Sequence, residues 1–172
     1  MWRRNLFIIF LLYLSAGLQL GLFNNFFWLS QFNLFLVVLV FFVNLSSFSA
    51  ALIFAFGSGL LLDIFSSLPF GTYLTTLGLT ALVLEFLFFN FFTNRSFYSL
   101  LMLAVLAVVA YQVVFLAVAG VLYFAGWSDF FVHHNYWLPA TGQLFITLMA
   151  VTLIFWFINR QSKSFKPTFL RP

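Results

Sequence analysis

The sequence predicts an all-α integral membrane protein, a compact bundle of about six transmembrane helices forming a single domain over residues 1–172, and three observations carry that expectation. Hydrophobic residues make up 65% of the 172 and charged residues only 6%. Soluble domains carry roughly 25% charged residues, so this balance cannot cover a water-exposed surface. A spanning helix takes about 20 mostly apolar residues, and the length leaves room for six with short loops. The third observation is placement: the seven basic residues sit at the ends of apolar segments, where Lys and Arg set orientation in a membrane.

The first expected span covers about 5–23 and closes at Asn24-Asn25. Arg3 and Arg4 before an apolar run, with Ser15-Ala16-Gly17 behind it, resemble a signal peptide. A cleaved signal has an apolar core of about 7–15 residues, whereas this run continues to Phe23, so an uncleaved first span is expected. The second span, about 32–45, is short and ends at Asn44 and Ser46-Ser47. Its length alone, about 15 residues from Gln31 to Leu45, suits a re-entrant segment as well as a crossing. The third covers about 48–65, and the turn Ser66-Ser67-Leu68-Pro69-Phe70-Gly71 follows, rich in residues that reverse a chain. The fourth covers about 72–92 and is closed by Thr93-Asn94-Arg95-Ser96; the fifth, 97–125, is long. A polar loop from Gly126 to Tyr136 leads into the sixth, about 138–158.

Charge decides the second span. With six crossings, Arg3, Arg4, Arg95, Arg160, Lys163, Lys166 and Arg171 all fall on one side; with five, one basic cluster lies outside. The positive-inside rule favours six, with both termini cytoplasmic. Trp2, Trp28, Trp127, Trp137 and Trp156 lie near expected span ends, the depth that amphipathic rings prefer. The 29 phenylalanines fit lipid-facing and packing positions better than a cofactor site. The net charge of +4 is too thinly spread for a nucleic-acid partner. Without cysteine, disulfides, thiol catalysis and thiolate metal sites are excluded.

Ionisable groups inside a span are expensive and mark places to inspect. Asp63 ends a row of small residues spaced by four, Ser47, Ala51, Ala55 and Gly59, on one helix face. Such rows let a second backbone approach closely, which would make the third helix central. Asp63 lies near the outer end of its span, where its carboxylate can accept backbone N–H bonds from the turn bounded by Pro69 and Gly71, or from the start of the fourth helix. Glu85 ends a similar row, Gly71, Thr75, Gly78 and Leu82, and sits deeper, towards the cytoplasmic half. Helix packing is the simplest role for both rows. Gly59, Asp63, Pro69, Gly71 and Glu85 are therefore the candidate structural and partner-contacting residues.

Catalysis and cofactors are not expected. Ser58, between Gly57 and Gly59, would need a histidine on a neighbouring helix to act as a nucleophile, and the only histidines, His133 and His134, fall in the outer loop. With Asp129 they form a weak metal candidate, because adjacent side chains rarely converge on one ion. Ser15 with Gln19, and Gln143 with Thr147, are spaced by four and suit hydrogen bonding between helices.

The stretch Gly57-Ser58-Gly59-Leu60-Leu61-Leu62-Asp63-Ile64-Phe65-Ser66-Ser67-Leu68-Pro69-Phe70-Gly71 resembles the signature of the rod-shape-determining MreD family. The shared features are a glycine-containing, Leu-rich helix ending in aspartate, a small-residue turn, and a glycine opening the next helix. Size, the brief basic tail and the hydropathy profile are also similar. In one departure, Phe32 stands before Asn33 where the family often has proline. The resemblance implies a non-catalytic scaffold of the bacterial cell-elongation machinery in the cytoplasmic membrane. Its partners would be a bitopic periplasmic protein like MreC, the actin-like MreB, and peptidoglycan synthases. It also implies a fold similar to the substrate-binding subunits of energy-coupling-factor transporters. Those subunits supply the alternative function, capture of a vitamin at an outer polar and aromatic cluster such as Asp129, His133, His134, Asn135, Tyr136 and Trp137.

Overall fold

A computed structural model of the chain describes residues 2–22, 33–45, 48–91, 97–127 and 137–161. The regular structure in them is entirely helical. Helix α1, Trp2–Ala16, runs on into a π-helical turn, Gly17–Leu22. Then come α2, Leu34–Leu45, α3, Phe48–Phe65, and α4, Thr72–Phe91. Helices α5, Phe97–Phe124, and α6, Trp137–Gln161, complete the bundle. The loop with Asp129, His133, His134, Asn135 and Tyr136, expected on the outer side, lies outside the described residues, as do Trp28, Arg95, Lys163, Lys166 and Arg171.

Among the described residues, three helices are long and apolar enough to cross a membrane: α3 over Phe48–Phe65, α4 over Thr72–Asn90 and α5 over Ser99–Phe124. The apolar stretches of the other three, Ile8–Gln19, Leu34–Asn44 and Thr141–Trp156, are shorter. Large apolar side chains also cover the outside, among them Phe10, Phe65, Phe86, Phe89, Phe124 and Phe145. A surface of this kind suits hydrocarbon and would be a liability in water.

The centre of the bundle is α2, which packs against α1, α3, α4, α5 and α6. Its Phe35, Leu36, Val37, Leu39, Val40, Phe42 and Val43 are all buried. Phe42 stacks on Phe54 of α3 at 5.0 Å between ring centroids, and Phe35 meets the same ring at 6.4 Å. This corrects the expectation that α3 is central. The small-residue face of α3 marks where the α4 backbone comes close, whereas the central place is set by the number of neighbouring helices, which is five for α2. Twelve residues give α2 a length of about 18 Å, short of a hydrocarbon core of about 30 Å.

The end of α5 is closed without outside help. Gly126, at φ +71°, donates its N–H to the Tyr123 carbonyl, and the Trp127 N–H reaches the Leu122 carbonyl. This paired arrangement satisfies carbonyls that a helix end leaves free, and it needs a left-handed residue that glycine supplies.

Candidate functional site

The α3–α4 hairpin brings four of the five candidate residues to one place. Asp63, on the last turn of α3, is 4% exposed. Its Oδ2 accepts the N–H groups of Gly71 at 3.1 Å and Leu74 at 3.0 Å, and its Oδ1 accepts the N–H of Tyr73 at 2.8 Å.

The chemistry follows from what opens α4. The first intrahelical bond runs from the Thr75 N–H to the Gly71 carbonyl, so Gly71 occupies the capping position. Serine, aspartate or asparagine at that position would accept the N–H of Tyr73 or of Leu74. Glycine has no side chain to do so. Gly71 sits at φ +97°, a conformation glycine adopts freely. The missing acceptor comes from the previous helix: Asp63 takes the bonds to Tyr73 and Leu74 that a capping side chain would take. Pro69 supplies the remainder, its carbonyl accepting the Thr72 N–H at 3.2 Å and the Thr72 hydroxyl at 2.6 Å. All four amide groups from Gly71 to Leu74 are thus satisfied, with a carboxylate at the positive end of the α4 dipole.

Gly59 makes this reach possible. It lies one turn before Asp63 on the same buried face as Ala51 and Ala55. A Cβ at Gly59 would stand 2.5 Å from the Leu74 Cα and 2.9 Å from the Tyr73 carbonyl oxygen. The two backbones therefore touch where the carboxylate docks. Ser47, the first residue expected in this row, is outside the described residues.

The row expected on α4 does not form a packing face. Thr75 and Leu82 are exposed, while Gly78 and Glu85 are buried beside them. The face turned inward is Thr72, Thr76, Leu77, Thr80, Ala81 and Leu84. The expected row passed over Thr72, Thr76 and Thr80, which the fold turns inward. They are tolerated because each hydroxyl bonds back to a preceding carbonyl, Thr72 to that of Pro69 in the turn, Thr76 to that of Thr72 at 2.6 Å and Thr80 to that of Thr76 at 2.7 Å.

Glu85 stands apart from the turn, farther along α4. It is 9% exposed, and its Oε2 has no hydrogen-bond partner among the described residues. The Ser58 hydroxyl donates to the Ala55 carbonyl at 3.0 Å, turned back on its own helix.

The expected polar links between helices are present in part. Gln19 Oε1 accepts the Leu34 N–H at 2.8 Å, capping α2 from the π-helical turn. Asn33 adds a local cap through the Leu36 N–H. Gln112 Nε2 donates to Gln143 Oε1 and joins α5 to α6. Ser15 bonds within its own helix, to the Leu12 carbonyl. The coupling between Gln112 and Gln143 is expected to be only about 0.6 kcal/mol, the usual worth of such a bond between apolar helices. A double-mutant cycle of Gln112→Leu with Gln143→Leu, read by unfolding in detergent, measures it.

No family model, curated protein or solved structure matches this chain.

Proposed function

We propose that the chain is a non-catalytic, multi-pass membrane scaffold that organises the cell-elongation machinery of a bacterium, as the MreD family does. The observation that carries this reading is the fastened α3–α4 turn: a buried carboxylate and a glycine contact spent on holding one end of the bundle rigid. Rigidity there suits a surface that partners grip. The stretch from Gly57 to Gly71, which carries the family resemblance, is the stretch that builds the turn.

In this reading the chain crosses the cytoplasmic membrane six times, with both termini inside. Helix α2 crosses within the protein core, so its length need not match the bilayer. The turn 66–70 then faces the periplasm, within reach of a bitopic partner like MreC and of peptidoglycan synthases. The basic ends face the cytoplasm and the actin-like MreB. Thiol labelling checks the topology in a chain that has no cysteine of its own. Ser67→Cys, at an exposed turn position, is expected to react with a membrane-impermeant reagent in intact spheroplasts. Reaction only after permeabilisation would reverse the orientation.

Affinity purification of the tagged chain from rod-shaped cells tests the function. Elongation proteins are expected to co-purify. A pair of transporter ATPases in their place would assign the chain to vitamin uptake instead. Hydrolysis of a peptide or lipid by the pure protein, lost on Ser58→Ala, would overturn the non-catalytic role.

A further inference from the structure

Glu85 has no part in the turn that fastens the hairpin. Its surroundings are apolar: with Phe48, Leu82, Phe86 and Phe89 it lines an open groove of about 440 Å³ on the outside of α3 and α4. The four apolar residues are exposed. The glutamate is nine-tenths buried, and one carboxylate oxygen, Oε2, is buried without any donor among the described residues. A buried carboxylate oxygen left without a hydrogen bond is costly, and such a group asks for a donor that the described residues do not supply.

The height of the groove narrows the choice of donor. Helices α3 and α4 are antiparallel, with Gly59 beside Leu74 and Gly78 beside Phe56. Continuing that register places Phe48, the first residue of α3, at the level of Glu85 and Phe86, and all three line the groove. Helix α4 runs on to Phe91, six residues or about 9 Å further. Helix α4 thus extends past the start of α3, and the carboxylate lies level with that start. A head group can settle there without leaving its own tails behind.

We propose that this groove binds a phospholipid whose head group ends in a primary ammonium. The ammonium donates to the Glu85 carboxylate, and an acyl chain lies along Leu82, Phe86 and Phe89. Charge complementarity selects the ammonium, and the aromatic lining selects the hydrocarbon attached to it. A primary ammonium brings three N–H donors, whereas a trimethylated head group brings the same charge with none. The proposal rests on the membrane placement given above and is independent of the role in cell elongation. Release of the chain from membranes by detergent but not by salt or alkali tests that placement separately.

Native mass spectrometry of the full-length protein in detergent, with chain-matched phosphatidylethanolamine, phosphatidylcholine and phosphatidylglycerol, tests the site. Wild type is expected to retain phosphatidylethanolamine at least about tenfold better than either of the others, the worth of one charge-assisted hydrogen bond. Glu85→Gln is expected to keep the fold and lose the preference. Comparing the ethanolamine and choline lipids on wild type alone keeps the proposal falsifiable if the variant does not fold. Equal retention of the three lipids, or a preference unchanged in Glu85→Gln, overturns it. So does a Glu85→Gln variant that keeps lipid selectivity but loses a co-purifying membrane protein, which would make the donor a basic side chain of that protein.

Discussion

Gly59→Ala is expected to be the most damaging single substitution in the hairpin. The new Cβ would lie 2.5 Å from the Leu74 Cα and 2.9 Å from the Tyr73 carbonyl oxygen. Both are backbone atoms, so no side chain can swing aside, and α3 and α4 must separate. Overpacking of this kind costs about 1–3 kcal/mol by itself. Separation also stretches the three bonds from Asp63, which span 2.8–3.1 Å and lie one turn away. Together these should remove about 3 kcal/mol or more. Two glycines serve as controls. A Cβ at Gly57 meets only the tip of the Leu12 side chain, at 2.8 Å, and one at Gly120 meets nothing within 4 Å. Gly57→Ala should therefore cost less, and Gly120→Ala should be neutral or mildly stabilising. Unfolding of the three variants in one detergent gives the order. Equal effects at positions 57 and 59 would contradict the close backbone approach.

Asp63→Ala is expected to have the second largest effect. It leaves the N–H groups of Gly71, Tyr73 and Leu74 without their acceptor at a place only 4% exposed. Each buried donor left unsatisfied costs about 1–3 kcal/mol, and water entering the turn recovers part of it. Asp63→Asn should be milder. Its one amide oxygen can take the place of Oδ2, which serves Gly71 and Leu74, but its NH2 group would then face the Tyr73 N–H, donor against donor. In cells, the expected outcome for Asp63→Ala is normal membrane abundance with weaker co-purification of elongation partners and loss of rod shape. Abundance and co-purification must be measured on the same preparation, because a misfolded and degraded protein would also lose shape. Normal abundance, normal partner binding and normal rods would leave Asp63 with no functional role.

Much of the hairpin was legible in the sequence because its parts are local. The bounds of α3 follow from an apolar run that stops at a Ser-Ser-Leu-Pro turn, and the observed helix is Phe48–Phe65. A carboxylate at the end of one helix, eight residues before the glycine that opens the next, has few donors other than the backbone of that turn and helix start, and these are its partners. What was not legible depends on rotation and on distant neighbours. Gly71, Thr75, Gly78 and Leu82 share a stripe on α4, but the stripe lies at the edge of the buried arc and only Gly78 among them is buried. Small residues show where backbones can meet and do not say which arc faces the core. The central position of α2 was hidden for a similar reason. Its twelve residues look like a defective span when counted, and an apolar surface suits the core and the lipid alike, so composition could not place them at the middle. The π-helical turn at Gly17–Leu22 has no signature in the residues themselves, although Gln19 within it caps α2.

The central claim is that the Asp63 carboxylate fastens the start of α4, and amide hydrogen exchange measures it most directly. In detergent or nanodiscs, the N–H groups of Gly71, Tyr73 and Leu74 should exchange slowly in wild type, although the first N–H groups of a helix are ordinarily free. In Asp63→Ala those three should exchange at least about tenfold faster, with the N–H groups of Leu77, Ala81 and Leu84 unchanged. Rapid exchange at the three positions in wild type, or protection that survives Asp63→Ala, would contradict the claim.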